Sequence, residues 1–107
     1  MNVEYIHYDV DPSQADAFVA AFQEALALLE REPSVLYHEL VQDCDDPRKF
    51  VVRIEWQTRE SQRTYLTNPD YARFMGLIKP HHGSFVSMRF HDPRVVAARG
   101  KEPAAAS

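Results

Sequence analysis

Lys49-Phe50-Val51-Val52-Arg53-Ile54-Glu55-Trp56, continued by Gln57-Thr58-Arg59-Glu60, is the stretch from which the fold can be read. Phe50, Val52, Ile54 and Trp56 fall on every second position, with Val51, Arg53 and Glu55 between them, so the run predicts a β-strand with one strongly apolar face. A helix is expected directly after it. Thr58 can accept a hydrogen bond from the free N–H groups of the next turn, and Glu60 sets negative charge at the positive end of the helix dipole.

Working backwards, Ser34 to Gln42 alternates Val35, Tyr37, Glu39 and Val41 against Leu36, His38 and Leu40. The turn that separates it from Lys49 is rich in Asp and Pro, so the two runs read as an antiparallel hairpin with a connection longer than the tightest ones. Upstream, Asp11-Pro12-Ser13-Gln14 supplies an N-cap, a first-turn proline and a glutamine at the capping-box position. From there Ala15, Phe18, Val19, Phe22, Leu26 and Leu29 recur at helical spacing, and the helix must end before Pro33. Val3 to Val10 precedes it as a strand with aromatics on both faces. Downstream of Trp56 the helical region comes in two pieces: Asn68-Pro69 restarts it, and Tyr71, Phe74, Met75 and Ile78 form its apolar stripe. Lys79-Pro80 stops it, and Gly83 to Phe90 supplies a last strand. The order is β-α-β-β-α-β, which predicts an α+β, ferredoxin-like protomer with both helical layers on one face of a four-stranded antiparallel sheet. The second sheet face, with Tyr5, Phe50 or Val51, and Phe85 or Val86 available to it, would be a large apolar patch if bare, so a second copy packed sheet to sheet is expected.

At 107 residues the chain is long enough for one domain and one core. The expected domain spans residues 1–91, and residues 92–107, which lack any periodic pattern, form a tail that is either frayed or laid over a neighbour. A net charge of −4 with scattered Lys and Arg argues against nucleic acid as a partner. No apolar run approaches the ~20 residues of a membrane span, and no leader pattern opens the chain. With a lone Cys44 unable to form an internal disulfide, the expected compartment is the cytoplasm.

Signatures of metal or nucleotide chemistry do not occur: there is no H-E-x-x-H, paired C-x-x-C, P-loop or G-x-G-x-x-G. Adjacent His81 and His82 rarely point at one ion, and their Lys-Pro to Gly connection reads as a solvated loop before it reads as a metal site. Cys44 sits among Asp43, Asp45 and Asp46, whose charge disfavours a thiolate nucleophile. The groups left to carry chemistry are His7, Tyr37, His38, Arg53, Trp56, Tyr65 and Tyr71. Taken singly, each is more often a semi-buried sheet or core residue with a satisfied polar tip. Several should converge between sheet and helices, however, and an apolar cavity with a few polar groups suits a flat aromatic ligand.

Tyr37-His38-Glu39-Leu40, the acidic turn Asp43-Cys44-Asp45-Asp46-Pro47, the strand Phe50 to Trp56 and the run Asn68-Pro69-Asp70-Tyr71-Ala72-Arg73-Phe74 together resemble the antibiotic biosynthesis monooxygenase (ABM) domain. The resemblance implies a dimeric α+β barrel built from ferredoxin-like protomers. It also implies an oxygenase that uses no metal and no cofactor, acting on a polycyclic aromatic phenol or quinol, which is deprotonated in an apolar pocket and reacts with oxygen directly. On that basis Trp56, Tyr37, Tyr71 and Phe74 are the expected substrate-binding residues, and His38, Tyr65 and Arg53 the expected catalytic ones. Arg53 or His38 would stabilise the anion, and His38, Tyr65 or Tyr71 would carry the proton. Strand alternation sets a condition: if Arg53 and Trp56 lie on opposite faces, both cannot line one pocket. A further departure is Tyr65, which stands nine positions after Trp56 where family members often carry a histidine; phenol and imidazole differ by several units in unperturbed pKa, so a base role and heme ligation are both disfavoured. The alternative expectation is a non-catalytic, dimeric small-molecule-binding or regulatory protein of the same fold.

Overall fold

The computed structural model describes residues 1–92 and Arg99. The expected tail, residues 92–107, lies almost wholly outside the described residues. Four strands and three α-helices follow one another as β1 (Asn2–Asp9), α1 (Ala15–Leu29), β2 (Val35–Gln42), β3 (Lys49–Trp56), α2 (Arg59–Tyr65), α3 (Pro69–Ile78) and β4 (Phe85–His91). Short 3-10 turns at Pro12–Gln14 and Lys79–Ser84 lead into α1 and β4. The sheet runs in the order β2-β3-β1-β4, and every neighbouring pair is antiparallel. This is the ferredoxin-like α+β fold.

Register explains which side chains meet the helices. Glu4, Ile6 and Tyr8 of β1 stand opposite Ile54, Val52 and Phe50 of β3, so these six share one face. Against them α1 buries Phe18, Phe22, Ala25, Leu26 and Leu29. Phe18, Phe22, Leu29, Val10 and Val52 are almost completely withdrawn from water, and Tyr8, Phe18, Phe22 and Phe50 meet as edge-on or tilted ring pairs with centroids 4.7–5.1 Å apart. At about 1.5–3 kcal/mol for each large apolar side chain removed from water, this aromatic centre contributes substantially to stability.

The helix ends follow their local chemistry. Thr58 Oγ1 accepts from Ser61 N at 2.9 Å while Ser61 Oγ accepts from Thr58 N at 3.1 Å, a reciprocal cap. Asn68 Oδ1 accepts from Asp70 N at 2.8 Å, as its place before Pro69 predicted. Two expectations change. Asp11 caps the 3-10 turn by accepting from Ser13 N, and Gln14, expected in a capping box, makes no side-chain cap bond because α1 proper begins only at Ala15. His81 is not solvated: the 3-10 turn folds it inward, 8% exposed, edge-on to Phe18 at 5.6 Å, while His82 alone stays in water.

On the sheet face turned away from the helices, the structure decides between the alternatives the sequence left open. Phe50 and Phe85 both point to the helix side; a register shift opposite His7 and Tyr8 leaves Val86 as an extra, exposed residue. The outer face therefore carries Tyr5, Val51, Arg53, Tyr37 and Val41 rather than a sweep of phenylalanines. Arg53 Nε donates to the Tyr5 hydroxyl at 3.2 Å, its guanidinium lies 5.8 Å from the ring centres of both Tyr5 and Tyr37, and it pairs with Glu55. The face is a mixed aromatic and charged surface.

Candidate active site

Between the sheet and the α2–α3 pair the fold leaves a cavity of about 490 Å³. α2, seven residues long, and α3 cover this end of the sheet. The cavity walls come from Trp56 and Ile54 on β3, Tyr65 on α2, Tyr71 and Phe74 on α3, and Phe90 on β4. Trp56 and Tyr65 meet at 5.4 Å with a 52° tilt, and Tyr65 meets Tyr71 edge-on at 6.1 Å. Such walls accept a flat ring face or edge.

Glu4, Arg59, Gln62, Arg63 and the hydroxyls of Tyr65 and Tyr71 interrupt the apolar lining, and three of these groups bear on its chemistry. Glu4 is 6% exposed, and the Trp56 indole N–H donates to its Oε1 at 3.0 Å. Burial raises the Glu4 carboxyl above the usual range, while the Trp56 hydrogen bond and the charge of Arg59 pull the other way. Arg59 sits at the first position of α2, where the helix dipole opposes a cation. Its guanidinium carbon lies 3.6 Å from the Phe90 ring centre, and its buried Nε has no hydrogen-bond partner among the described residues. The third group is Tyr65, whose hydroxyl is buried without a partner among the described residues. Withdrawal from water raises its pKa, helped by the charges of Asp70 and Glu32 and opposed by Arg31. A buried polar atom left unpaired costs about 1–3 kcal/mol, and both of these atoms belong to residues that line the cavity.

Of the residues singled out in the sequence, the structure brings together Trp56, Tyr65, Tyr71 and Phe74 around this cavity. It does not bring Arg53 or Tyr37 there. Both project from the opposite sheet face, since Arg53 is odd in register with respect to Trp56 and Tyr37 pairs beside Glu55. His38 is on the helix side but one strand further out, in a separate groove under α1 with Val19, Leu26 and Leu40, and its Nε2 lies 3.4 Å from Glu30. The anion-stabilising role expected of Arg53 or His38 therefore has no geometric basis in the Trp56 cavity; the arginine that lines it is Arg59.

Glu4 and Arg59 were not picked out by sequence reasoning. For Glu4 a signal existed: it is the one charged member of the series Glu4, Ile6, Tyr8, Val10, on the face that pairs with the apolar face of β3. For Arg59 there was none, because a first-turn arginine is ordinarily solvated. Among the described residues, no group of three or more His, Cys, Asp or Glu side chains is placed to hold a metal ion, and no helix is long and apolar enough to cross a membrane.

The sequence pattern of the antibiotic biosynthesis monooxygenases matches residues 1–77. The chain belongs to this family. The ABM match takes in Glu4, Trp56, Arg59, Tyr65, Tyr71 and Phe74, so every cavity residue discussed above except Phe90 falls inside it. Solved structures with the same fold include a candidate antibiotic biosynthesis monooxygenase from Nitrosomonas europaea, with TM-score 0.71 and 19% identity over 86% of this chain and 97% of that one. Another candidate of the same kind, from Bordetella bronchiseptica, superposes with TM-score 0.75 and 15% identity, covering 88% of this chain and 97% of that one. A conserved protein from Methanosarcina mazei Go1 gives TM-score 0.76 at 11% identity, covering 87% and 92%. At these identities the likeness establishes the ABM fold. No curated protein matches the sequence.

Proposed function

We propose that this ABM protein is a cofactor-independent monooxygenase that binds a polycyclic aromatic phenol or quinol between Trp56, Tyr65, Tyr71 and Phe74 and lets its anion react with dioxygen. The observation that carries the reading is the cavity itself: about 490 Å³, walled by aromatic rings and carrying unpaired polar atoms. That volume falls within the ~300–1,000 Å³ typical of small-molecule sites. For an activated ring methylene, uptake of one O₂ gives a ring carbonyl and one water, so no external reductant is required. The protein's part is to exclude water, hold the ring flat and stabilise the anion by hydrogen bonds. Tyr65 serves here as a neutral donor to the ring oxygen; its raised pKa suits that role and not that of a base. Dissolved-oxygen uptake on mixing with anthrone or a naphthoquinol tests the proposal. Uptake that is saturable in substrate and at least tenfold above the buffer rate supports it, and saturable binding without uptake refutes it.

The same Tyr65 favours a second reading, a non-catalytic binding protein, because a phenol in place of the family's usual histidine removes the group best suited to move protons near neutral pH. In either reading we propose a homodimer joined through the outer sheet face around Tyr5, Tyr37, Val41 and Arg53. Tyr37 is 47% and Val41 44% exposed, and aromatic rings with an arginine are the residue types enriched at interface centres.

A further inference from the structure

We propose that Glu4 is the base that takes the acidic proton of a hydroxylated or carbonyl-activated aromatic bound in the Trp56 cavity, with Arg59 as the cation that stabilises the resulting anion. The inference rests on the cavity being an aromatic-ligand site, as proposed above, and it names the proton acceptor that neither His38 nor Tyr65 supplies.

Four observations point to Glu4. It is a carboxylate on the helix side of the central strand β1, where its strand neighbours Ile6 and Tyr8 are core residues. Only one of its oxygens is engaged, by the Trp56 indole N–H at 3.0 Å; the other makes no hydrogen bond among the described residues, and the side chain lines the cavity. Satisfying an indole N–H needs a neutral acceptor and nothing more, so an ionisable acid with a spare oxygen exceeds what packing requires. Arg59 lines the same cavity and its buried Nε has no partner among the described residues, so the site holds a cation beside Glu4.

In the step, the substrate O–H or activated C–H bond breaks and a new O–H bond forms to the free Glu4 oxygen. The electron pair stays on the ring, and the total charge is unchanged: neutral substrate and carboxylate become ring anion and carboxylic acid. Nothing is oxidised until the anion meets dioxygen. The charged or titratable groups around Glu4 are Tyr8 on its own strand, Arg59, Arg63 and Tyr65 on α2, and Tyr71 on α3; β3 contributes Trp56, and β4 contributes the apolar Phe85, Met88 and Phe90. Burial makes Glu4 a stronger base than a solvated carboxylate, while Arg59 keeps it from holding its proton too tightly.

The test is an anaerobic titration with anthrone, whose ring anion absorbs at longer wavelength than the neutral form. The wild-type protein should convert bound anthrone to the anion at a pH where free anthrone is neutral. Glu4→Gln keeps the size of the side chain and an acceptor for Trp56; it should bind anthrone within about threefold of wild type and form at least ~10-fold less anion, with turnover reduced by ~100-fold or more. Arg59→Gln leaves the base in place and should move anion formation to higher pH, so it decides the matter if Glu4→Gln fails to fold; no shift in this variant refutes the pairing. Equal anion in wild type and Glu4→Gln, or neutral bound anthrone in the wild type at every pH, overturns the assignment while leaving the oxygenase reading to its own test. Anion formation in the wild type and its loss in Glu4→Gln, without any oxygen uptake, upholds Glu4 and refutes the oxygenase. Failure of the wild type to bind anthrone overturns both.

Discussion

Trp56 has two jobs that a single substitution can separate: its ring walls the cavity and its N–H holds Glu4. Trp56→Phe keeps most of the apolar wall and deletes the donor, so Glu4 loses the interaction that most lowers its pKa. The expected result is aromatic ligand affinity reduced about tenfold or less, and a Glu4 titration moved to higher pH, read by carboxyl NMR or by the acid limb of the rate profile. Tyr65→Phe should leave the melting temperature unchanged or raise it, because the hydroxyl it removes is buried without a partner among the described residues. If that hydroxyl holds a ligand anion, binding of the anion should fall by about tenfold, the worth of one hydrogen bond to a charged group; equal affinity in the two proteins would remove Tyr65 from the site. Glu4 also gives stability a definite pH dependence. Its pKa is raised in the folded protein, so its contribution is full below the ordinary carboxylate pKa and is lost as pH rises through the folded value. Glu4→Gln should flatten that decline in denaturant midpoint against pH; an unaltered slope would show that Glu4 titrates normally.

At the level of elements, α1 supplies the core and the α2–α3 pair supplies the cavity. Phe18 touches Tyr8, Phe22, Phe50 and His81, so Phe18→Ala leaves a void among four rings and should cost about 3–5 kcal/mol in urea unfolding. A loss under 1 kcal/mol would mean that the aromatic centre repacks freely. Thr58→Ala removes one half of a reciprocal cap and should cost about 1 kcal/mol, with its larger effect on ligand binding, since α2 carries both Arg59 and Tyr65. The start of α3 is held to the turn that follows α1: Asp70 accepts from both Arg31 and Arg73, which keep its carboxyl below the usual range. This contribution is present above the ordinary Asp pKa and disappears as pH falls, the opposite sign to Glu4.

For the whole molecule, the sheet with one face under helices and the other in water defines the open question of assembly. The outer face mixes Tyr5, Tyr37 and Val41 with Arg53, Glu39 and Glu55, and the internal pairing of these charges removes the main electrostatic obstacle to burying them against a second copy. Sedimentation at micromolar concentration should give twice the 12.4 kDa protomer mass. Arg53→Glu, which places like charge beside Glu55, should shift it toward the protomer by tenfold or more in dissociation constant. A single species of protomer mass throughout would refute the dimer and leave the outer face exposed.

Element order, the caps at Thr58 and Asn68, the two-residue period of Phe50 to Trp56 and the helical stripe of α1 were legible in the sequence because they depend on near neighbours. Membership of the ABM family was legible for the same reason, as a pattern of local motifs. The cavity was only partly so. Trp56, Tyr65, Tyr71 and Phe74 could be named as aromatics with a polar option, but whether they met depended on the register of β3 against β1 and on where α2 broke. That register put Arg53 and Tyr37 on the far face, and the β4 register shift set Phe85 across from Tyr8 on the helix side and left Val86 as the extra residue. It also set Glu4, 52 positions before Trp56, within hydrogen-bonding distance of the indole. A pairing over that separation is decided by packing of the whole sheet, since no local rule says which residue will lie across from which; the chemistry of this site is therefore a property of the tertiary structure.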